Sequence, residues 1–504
     1  MFTKLLSLSM ITFMEYVKTL EEITSVMHSK DAESVALVSK AYNFSEQAHH
    51  GQKRYSGDPY FLHVSCVGHT LAEMGMDANT IAAGLLHDTV EDAHVSEEDI
   101  EREFSKEIRF LVDGVTKLGK LKYRGAERHV ESLRKLFIAT AKDLRVIIIK
   151  LADRLHNVST LKHVPKEKRK RIAMETLEIY APIANRLSIG KIKGELEDYA
   201  FAFAYPDEYK KVQDLIKERS KENDKRLEKI YRAIQVELAK NGITKVHGEY
   251  RIKRTYSLYK KLLRRNMDIS DIYDLSAIRV MVPTISDCYR ALGIIHSTWR
   301  PLPGRIKDYI AFPKPNGYQS LHTTIFTGDG GIVEIQLRTE EMNKDAAFGI
   351  AAHFAYKEKT DVTKTKSNSP RKLDWVGQIS QLQHSLDTNS DYLENLRTDF
   401  FGDRVFVFTP KGDVVDLPLD SSPIDFAFAI HSDIGEHVSG ANVNGKFVSL
   451  DTKLKNGDIV EIITKKSSKP SKKWLEYART TLAKRHIRSI LQHEEEERNH
   501  QSTK

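Results

Sequence analysis

In IAAGLLHDTVED, residues 81–92, an apolar run ends on His87 and Asp88, and Glu91 and Asp92 follow one helical turn later. Residues three or four apart share a helix face, so Glu91 lies beside His87 and Asp88. Directly after an apolar run, two adjacent ionisable groups are unfavourably placed unless a partner compensates them. Partners are available on either side: His63 upstream in PYFLHV and Asp153 downstream in KLADRLHN. Taken singly, each residue is as easily a polar group at a helix end. Together, two imidazoles and two carboxylates suit a borderline divalent ion such as Mn2+, with coordination positions left for water and phosphate oxygens.

Around this stretch, apolar positions recur at helical spacing in SVALVSKAYNFSEQA and DLRVIIIKLADRLHNVSTL, so residues 32–205 read as an all-α domain behind an N-terminal helix over 1–31. Residues 206–245 read as a connecting helix, with Leu227, Ile230, Ile234 and Leu238 in one stripe before Asn241-Gly242. From 246 to 356 the pattern turns α+β, with strand-like AIRVMV, HTTIFT and GIVEIQLRT. Residues 357–400 read as a linker and helix. A small β-rich module follows over 401–464, and a basic helical tail over 465–504.

The 504 residues exceed what one hydrophobic core usually supports, so several domains are expected. A net charge of +8 favours polyanionic partners such as nucleotides or RNA. Cys66 and Cys288 are the only cysteines and form no CxxC pair, which excludes a disulfide framework or cysteine zinc finger and fits a reducing compartment. Acidic residues follow the short apolar start at once, and no segment reaches transmembrane length. A cytoplasmic enzyme without membrane association is the expectation.

No GxxxxGK[ST] occurs, so any use of ATP needs another phosphate cradle. The run RIKRTYSLYKKLLRR, residues 251–265, holds seven Lys or Arg and no acid, interleaved with Tyr256 and Tyr259. It reads either as a solvated helix face or as a clamp that grips a triphosphate and stacks a base. In GIVEIQLRT, Val333, Ile335 and Leu337 alternate towards one face and leave Glu334, Gln336 and Arg338 on the other. Glu334 there can hold a metal or take a proton from a ribose hydroxyl. Asp274, just before a strand, is the natural second carboxylate, and Mg2+ on it would polarise transferring phosphates. The loop GRIKDYIAFPKPNGYQSLHTT adds Arg305, Lys307, Lys314, Asn316, Tyr318 and His322, either a nucleotide lip or an ordinary polar loop.

These motifs carry a resemblance. His63, His87, Asp88 and Asp153 look like the ligand set of the HD phosphohydrolase superfamily. QKRYSGDPYFLHV, LLHDTVED, GVTKL and IIKLADRLHNVSTL resemble the hydrolase domain of RelA/SpoT homologues, which removes pyrophosphate from the ribose 3′ position of (p)ppGpp. By that resemblance the four ligands bind Mn2+, Glu91 and Asp92 handle the nucleophilic water, and Arg54, Ser56, Asn157 and Thr160 line the guanosine site. Tyr55 departs from the family, which usually has a second basic residue there.

The α+β region resembles the RelA/SpoT synthetase domain, nucleotidyltransferase-like with a mixed sheet, which transfers pyrophosphate from ATP to the 3′-OH of GDP or GTP. The resemblance puts Arg251 and Lys253 at ATP, Mg2+ on Asp274, Glu334 as activator of the 3′-OH, Tyr318 stacked on guanine, and Lys314, Asn316 and His322 around the acceptor. Arg305-Ile306-Lys307-Asp308 looks like the RxKD form of bifunctional members. Asn343 and Ala347 stand where the family has His and Glu, EYRIKRTYS replaces GRPKHIYS, and His353 and Tyr356 match.

The module that opens with RVFVFTPKGDVVDLP resembles a β-grasp TGS domain, in which His431 would approach the 3′ end of uncharged tRNA on the ribosome; a plain surface histidine is the alternative. The family's later zinc-finger and ACT regions have no counterpart, so the chain reads as truncated after the TGS domain. A bifunctional (p)ppGpp synthetase and hydrolase is the expectation. The alternatives are an enzyme that only hydrolyses, and a ribosome- or tRNA-binding sensor with relic sites.

Overall fold

The computed structural model describes residues 16–116, 125–252, 254–264, 267, 276–314, 316–328, 330–352 and 404–502. They belong to two compact units, Met1–Val376 and Gly377–Lys504. Lys253, Asp274, His353, Tyr356 and the linker over 357–400 lie outside the described residues. At the start, the helix begins at Leu20, where Thr19 and Glu22 form a capping box.

The first unit opens with the helical region. Its centre is three helices, Phe61–Glu73, Ala78–Leu86 and Arg145–Ser159, each buried along most of its length. Asp77 starts the second by accepting the Thr80 backbone N–H at 2.9 Å. The first two helices meet glycine against leucine. A Cβ on Gly84 would stand 2.2 Å from Leu71 Cδ1, and one on Gly68 would stand 2.7 Å from Leu85 Cδ2. That close approach accompanies the meeting of His63 and His87, whose Nε2 atoms are 3.3 Å apart, and Leu85, Leu86, Ile147 and Ile148 of the same three helices are fully buried.

The synthetase-like region is a five-stranded sheet of β1 (His247–Ile252), β2 (Ser276–Val282), β3 (Lys307–Asp308), β4 (Leu321–Phe326) and β5 (Ile332–Thr339), in the order β1-β2-β5-β4-β3. The β2–β5 pair is parallel and the other neighbours are antiparallel, so the sheet is mixed.

The helix expected over 206–245 has a buried stripe. It runs Pro206–Lys240, and its stripe of Leu227, Ile230, Ile234 and Leu238 is buried against Ile278, Val280 and Ile335 of the sheet. Its second half is a layer of the domain core. An apolar stripe at helical spacing is what such packing requires.

The basic run is corrected in part. Tyr259 stacks on Phe201 with ring centroids 4.8 Å apart, and Leu258 and Leu262 are buried beside it. Arg254 pairs with Asp198 at 3.3 Å and Lys260 with Glu197 at 2.9 Å. Helix Thr255–Leu263 therefore docks on helix Gly190–Ala204 through buried Tyr259, whose face is taken by Phe201, with Tyr256 half-buried beside it.

The second unit pairs β6 (Arg404–Phe408) with β7 (Val414–Pro418), and orders β8 (Val438–Val443), β9 (Lys446–Val448) and β10 (Val460–Thr464) as β10-β8-β9. Helix Pro423–Ile430 packs between them, consistent with a small β-rich TGS fold. The basic tail belongs to the same body: Trp474, Ala483 and Ile487 are buried against Ile424 and Phe428. Among the described residues no helix is long and apolar enough to cross a membrane.

Two candidate active sites

The first site forms where the three central helices converge. His63 Nε2 lies 3.4 Å from Asp88 Oδ2 and 3.3 Å from Asp153 Oδ1; His87 Nε2 lies 3.3 Å and 3.8 Å from the same two atoms. The two Nε2 atoms are 3.3 Å apart. Among the described residues, His63, His87 and Asp88 are grouped closely enough to hold one ion, and Asp153 adjoins them. His87 Nδ1 donates to the Gly84 carbonyl at 2.8 Å, which turns Nε2 inward. Burial alone would lower the His87 imidazolium, but the Asp88 and Asp153 carboxylates outweigh it and hold its pKa up at about 10. Burial opposes both carboxylates in turn, yet His87 beside Asp88 and Lys150 beside Asp153 hold them well below the usual range. The imidazole and carboxylate donor atoms converge closely enough to hold one ion. A divalent metal is the natural occupant, and the donor set fits one.

The surrounding contacts were not all legible beforehand. Lys150 Nζ lies 2.8 Å from Asp153 Oδ2, the oxygen turned away from the histidines. The Tyr60 hydroxyl reaches Asp88 Oδ2 and Asp92 Oδ2, both at 2.7 Å. Burial first, then the Asp88 charge, hold that hydroxyl protonated, far above the usual tyrosine range. His156 Nδ1 lies 2.9 Å from His63 Nδ1, and burial keeps His156 neutral. Three residues were missed, and each stands three positions from a ligand that was not: Tyr60 before His63, Lys150 before Asp153, His156 after it. The same helical spacing that linked Glu91 to His87 could have found them.

The other expected residues border this cage. Arg54 sits in a tight turn closed by the Gly57 N–H on the Arg54 carbonyl at 2.9 Å, with Ser56 inside the turn. Asn157 donates to Asp153 Oδ1 and accepts from Arg54 Nη2 at 2.5 Å. The Thr160 hydroxyl donates to the His156 carbonyl at 3.1 Å. Glu91 and Asp92 lie on the short helix Thr89–Asp92 that begins just after Asp88.

The second site is a closed ring of hydrogen bonds on β4, β5 and the loop before β4. Arg338 Nη2 donates to the Tyr318 hydroxyl at 3.0 Å and to Gln336 Oε1 at 2.9 Å. Tyr318 Oη lies 2.9 Å from His322 Nε2, and His322 Nδ1 lies 2.9 Å from Glu334 Oε1. Gln336 Nε2 donates to the same Glu334 oxygen at 3.0 Å, which closes the ring. A carboxylate only accepts, so His322 donates to Glu334 from Nδ1; the neutral imidazole then accepts at Nε2 from the Tyr318 hydroxyl, whose oxygen accepts from Arg338. Burial lowers the His322 pKa, against the pull of Glu334, and keeps the ring neutral. Gln336 and Arg338 are 5% and 1% exposed, so this polar strand face is also covered.

Lys314 Nζ stands 5.1 Å from the Tyr318 ring centre and 4.7 Å from that of Tyr309. Lys307 pairs with His322 across β3 and β4, and Arg305 lies exposed two residues before it. Asn316 points elsewhere: its Nδ2 donates to the Asn185 carbonyl at 3.4 Å, and its own carbonyl accepts from Ser188. Arg251 contributes backbone pairing to β1, opposite Ala277. In the second unit, exposed His431 caps helix Ser432–Glu436 with Nδ1 accepting the Asp433 N–H at 3.2 Å.

Residues 41–190 match the model of the HD domain, 250–361 that of the "Region found in RelA / SpoT proteins", and 405–464 that of the TGS domain. A guanosine-3′,5′-bis(diphosphate) 3′-pyrophosphohydrolase of Aquifex aeolicus is 45% identical over 95% of this chain and 68% of its own length. The chain belongs to the RelA/SpoT family. Its RelA/SpoT relatives include the GTP pyrophosphokinase of Myxococcus xanthus, 46% identical over 92% of this chain and 61% of that protein. The bifunctional (p)ppGpp synthase/hydrolase SpoT of Escherichia coli is 42% identical over 90% and 64%. The chain thus spans about three fifths to two thirds of the length of these curated relatives. Within it, the cage falls in the HD match and the ring around Glu334 in the RelA/SpoT match.

Proposed function

We propose that this chain both makes and destroys the alarmone (p)ppGpp, at two separate sites. The observation that carries the reading is the coexistence of a buried four-residue cation cage with a separate hydrogen-bonded ring around Glu334. His63, His87, Asp88 and Asp153 would hold Mn2+, whose bound form polarises phosphate and lowers the pKa of water. Asp92, fixed by Tyr60, and Glu91 beside it would take the proton of the attacking water as the bond from phosphorus to the ribose 3′ oxygen breaks. Arg54, Ser56, Asn157 and Thr160 would face the guanosine of (p)ppGpp, and the products are GDP or GTP and pyrophosphate.

At the second site the acceptor's 3′ oxygen forms a bond to the β-phosphorus of ATP, AMP leaves, and the hydroxyl proton goes to Glu334. His322 orients Glu334 and is itself oriented by Tyr318, so a guanine stacked on Tyr318 would be registered against the base. Lys314, Arg305 and Lys307 would meet acceptor phosphates, Arg251 and Lys253 those of ATP, and Mg2+ on Asp274 would offset the phosphate charge. Asn316 would need to release Asn185 to reach a nucleotide. His431, exposed in the TGS module, would meet the 3′ end of uncharged tRNA on a ribosome. The free thiols Cys66 and Cys288 fit a reducing, cytoplasmic setting.

Incubating purified protein with ATP and GDP, and separately with ppGpp and Mn2+, tests the reading. (p)ppGpp with AMP in the first tube and pyrophosphate in the second are expected. Asn343 and Ala347, which depart from the family, favour one rival: an enzyme that only hydrolyses would leave the first tube empty.

A further inference from the structure

We infer that Arg54 is a positioning residue for the metal cage, whose guanidinium fixes two of the four ligands through one intermediary each. This rests on reading the cage as a metal site, and it assigns Arg54 a task in the absence of nucleotide.

The two arms are consecutive residues of helix Arg145–Ser159. Arg54 Nη1 lies 3.0 Å from His156 Nδ1, and that nitrogen lies 2.9 Å from His63 Nδ1. Arg54 Nη2 lies 2.5 Å from Asn157 Oδ1, and Asn157 Nδ2 donates to Asp153 Oδ1. Arg54 itself is anchored: its N–H donates to the Asp58 carbonyl at 3.0 Å, and Lys53 pairs with Pro59 across the turn.

Donor and acceptor roles now follow from one fact, that a guanidinium has no acceptor. Facing Arg54, His156 Nδ1 must be bare. Arg54 and His63 then share the one lone pair of that nitrogen in a three-centre contact, and because two bare nitrogens 2.9 Å apart would repel, His63 Nδ1 carries its proton. His63 Nε2 is then the lone pair presented to the cage, 3.3 Å from Asp153 Oδ1. On the other arm, Arg54 occupies the oxygen of Asn157, so the amide NH2 is the end that faces Asp153. It steadies the carboxylate oxygen nearest the histidines, while Lys150 holds the other.

Without Arg54, both choices become free. His156 can carry its proton on Nδ1 and donate to His63, which forces the His63 proton onto Nε2 and blocks that ligand. Asn157 can turn its oxygen towards Asp153 and repel it. Groups that orient metal ligands in this way typically change metal affinity by about 10–100-fold when removed. A lysine at 54 offers one ammonium and cannot span both arms.

The test titrates Mn2+ into the metal-free full chain, without nucleotide, following free Mn2+ by electron paramagnetic resonance. Arg54→Met should bind roughly 10–100-fold more weakly than the wild-type chain, and Arg54→Lys should fall between them. In protein labelled with 15N-histidine, His63 should show the Nδ1–H tautomer in the wild-type chain and the Nε2–H tautomer, or a mixture, in Arg54→Met. Should Arg54→Met fail to fold, Arg54→Lys and the histidine spectrum decide. Unchanged Mn2+ affinity and tautomer in folded variants, with only a raised KM for ppGpp, would overturn the inference and leave Arg54 a plain nucleotide contact. Absence of Mn2+ binding by the wild-type chain would instead overturn the cage reading, and the inference with it.

Discussion

Replacing Asp153 with alanine removes a cage ligand and, in the same stroke, strands a buried cation. Lys150 Nζ sits 2.8 Å from Asp153 Oδ2, with the two side chains 9% and 7% exposed. Breaking a buried ion pair from one side leaves an uncompensated charge and costs about 3–5 kcal/mol. At about 2–4 °C per kcal/mol for a domain of this size, the helical region should unfold roughly 6–20 °C earlier. The double variant Lys150→Met, Asp153→Ala should recover most of that loss, because the unpaired charge is gone along with its partner. Calorimetry reads the stability, pyrophosphate release from ppGpp reads hydrolysis, and ppGpp formation from ATP and GDP reads synthesis. Both variants should lack hydrolysis and retain synthesis at a temperature where they are folded. An unchanged unfolding temperature for Asp153→Ala would refute the desolvated ion pair. Loss of both reactions in folded protein would refute two independent sites.

Glu334→Gln should do the converse, abolishing synthesis while leaving hydrolysis, since it removes the proton acceptor from the ring on β5 alone; product analysis of both reactions checks it. Hydrolysis should require Mn2+ and vanish on chelation, whereas synthesis should run on Mg2+; equal support of hydrolysis by Mg2+ and Mn2+ would count against His63 and His87 as ligands. Burial pushes the thiols of Cys66 and Cys288 up to about 12, so neither should react with a disulfide reagent at pH 8 until urea unfolds the chain, when both should. Burial also lowers the pKa of His49, His296 and His322. The unfolded chain then takes up protons that the folded one refuses, so stability should fall as pH drops below the unfolded histidine value. Each contributes up to about 1.4 kcal/mol per pH unit, and urea midpoints at pH 7.5 and 5.5 would show no such fall if these rings were solvated.

What the chain announces in one dimension is whatever depends on local spacing. The helical cluster was legible because His63, His87-Asp88 and Asp153 sit in three short motifs, and the alternation in GIVEIQLRT correctly put Val333, Ile335 and Leu337 in the core and Glu334 on the polar side. The reading failed where a partner lies far away in sequence. Tyr259 reads either as part of a solvated face or as a base stacker until Phe201 is known to be stacked on it, and the stripe from Leu227 to Leu238 has no visible partner until the sheet beneath it is in place. The basic tail likewise hides Trp474, Ala483 and Ile487 among its charges, and only the TGS helix they cover explains them.

Polarity of hydrogen bonds carries a different kind of information, visible only once the residues are assembled. Glu334 and Arg54 are each a group of one polarity, the carboxylate accepting and never donating, the guanidinium donating and never accepting. Each therefore imposes a direction on a chain of ambivalent neighbours: Tyr318 and His322 towards Glu334 in one site, His156 and His63 towards the cage in the other. Neutral histidine can face either way, so a ligand histidine or a base-orienting histidine is defined only when something beside it cannot. In the second site that task falls to Glu334, and in the first to Arg54. Lysine, with a single point of charge and freely rotating donors, would leave the direction undetermined.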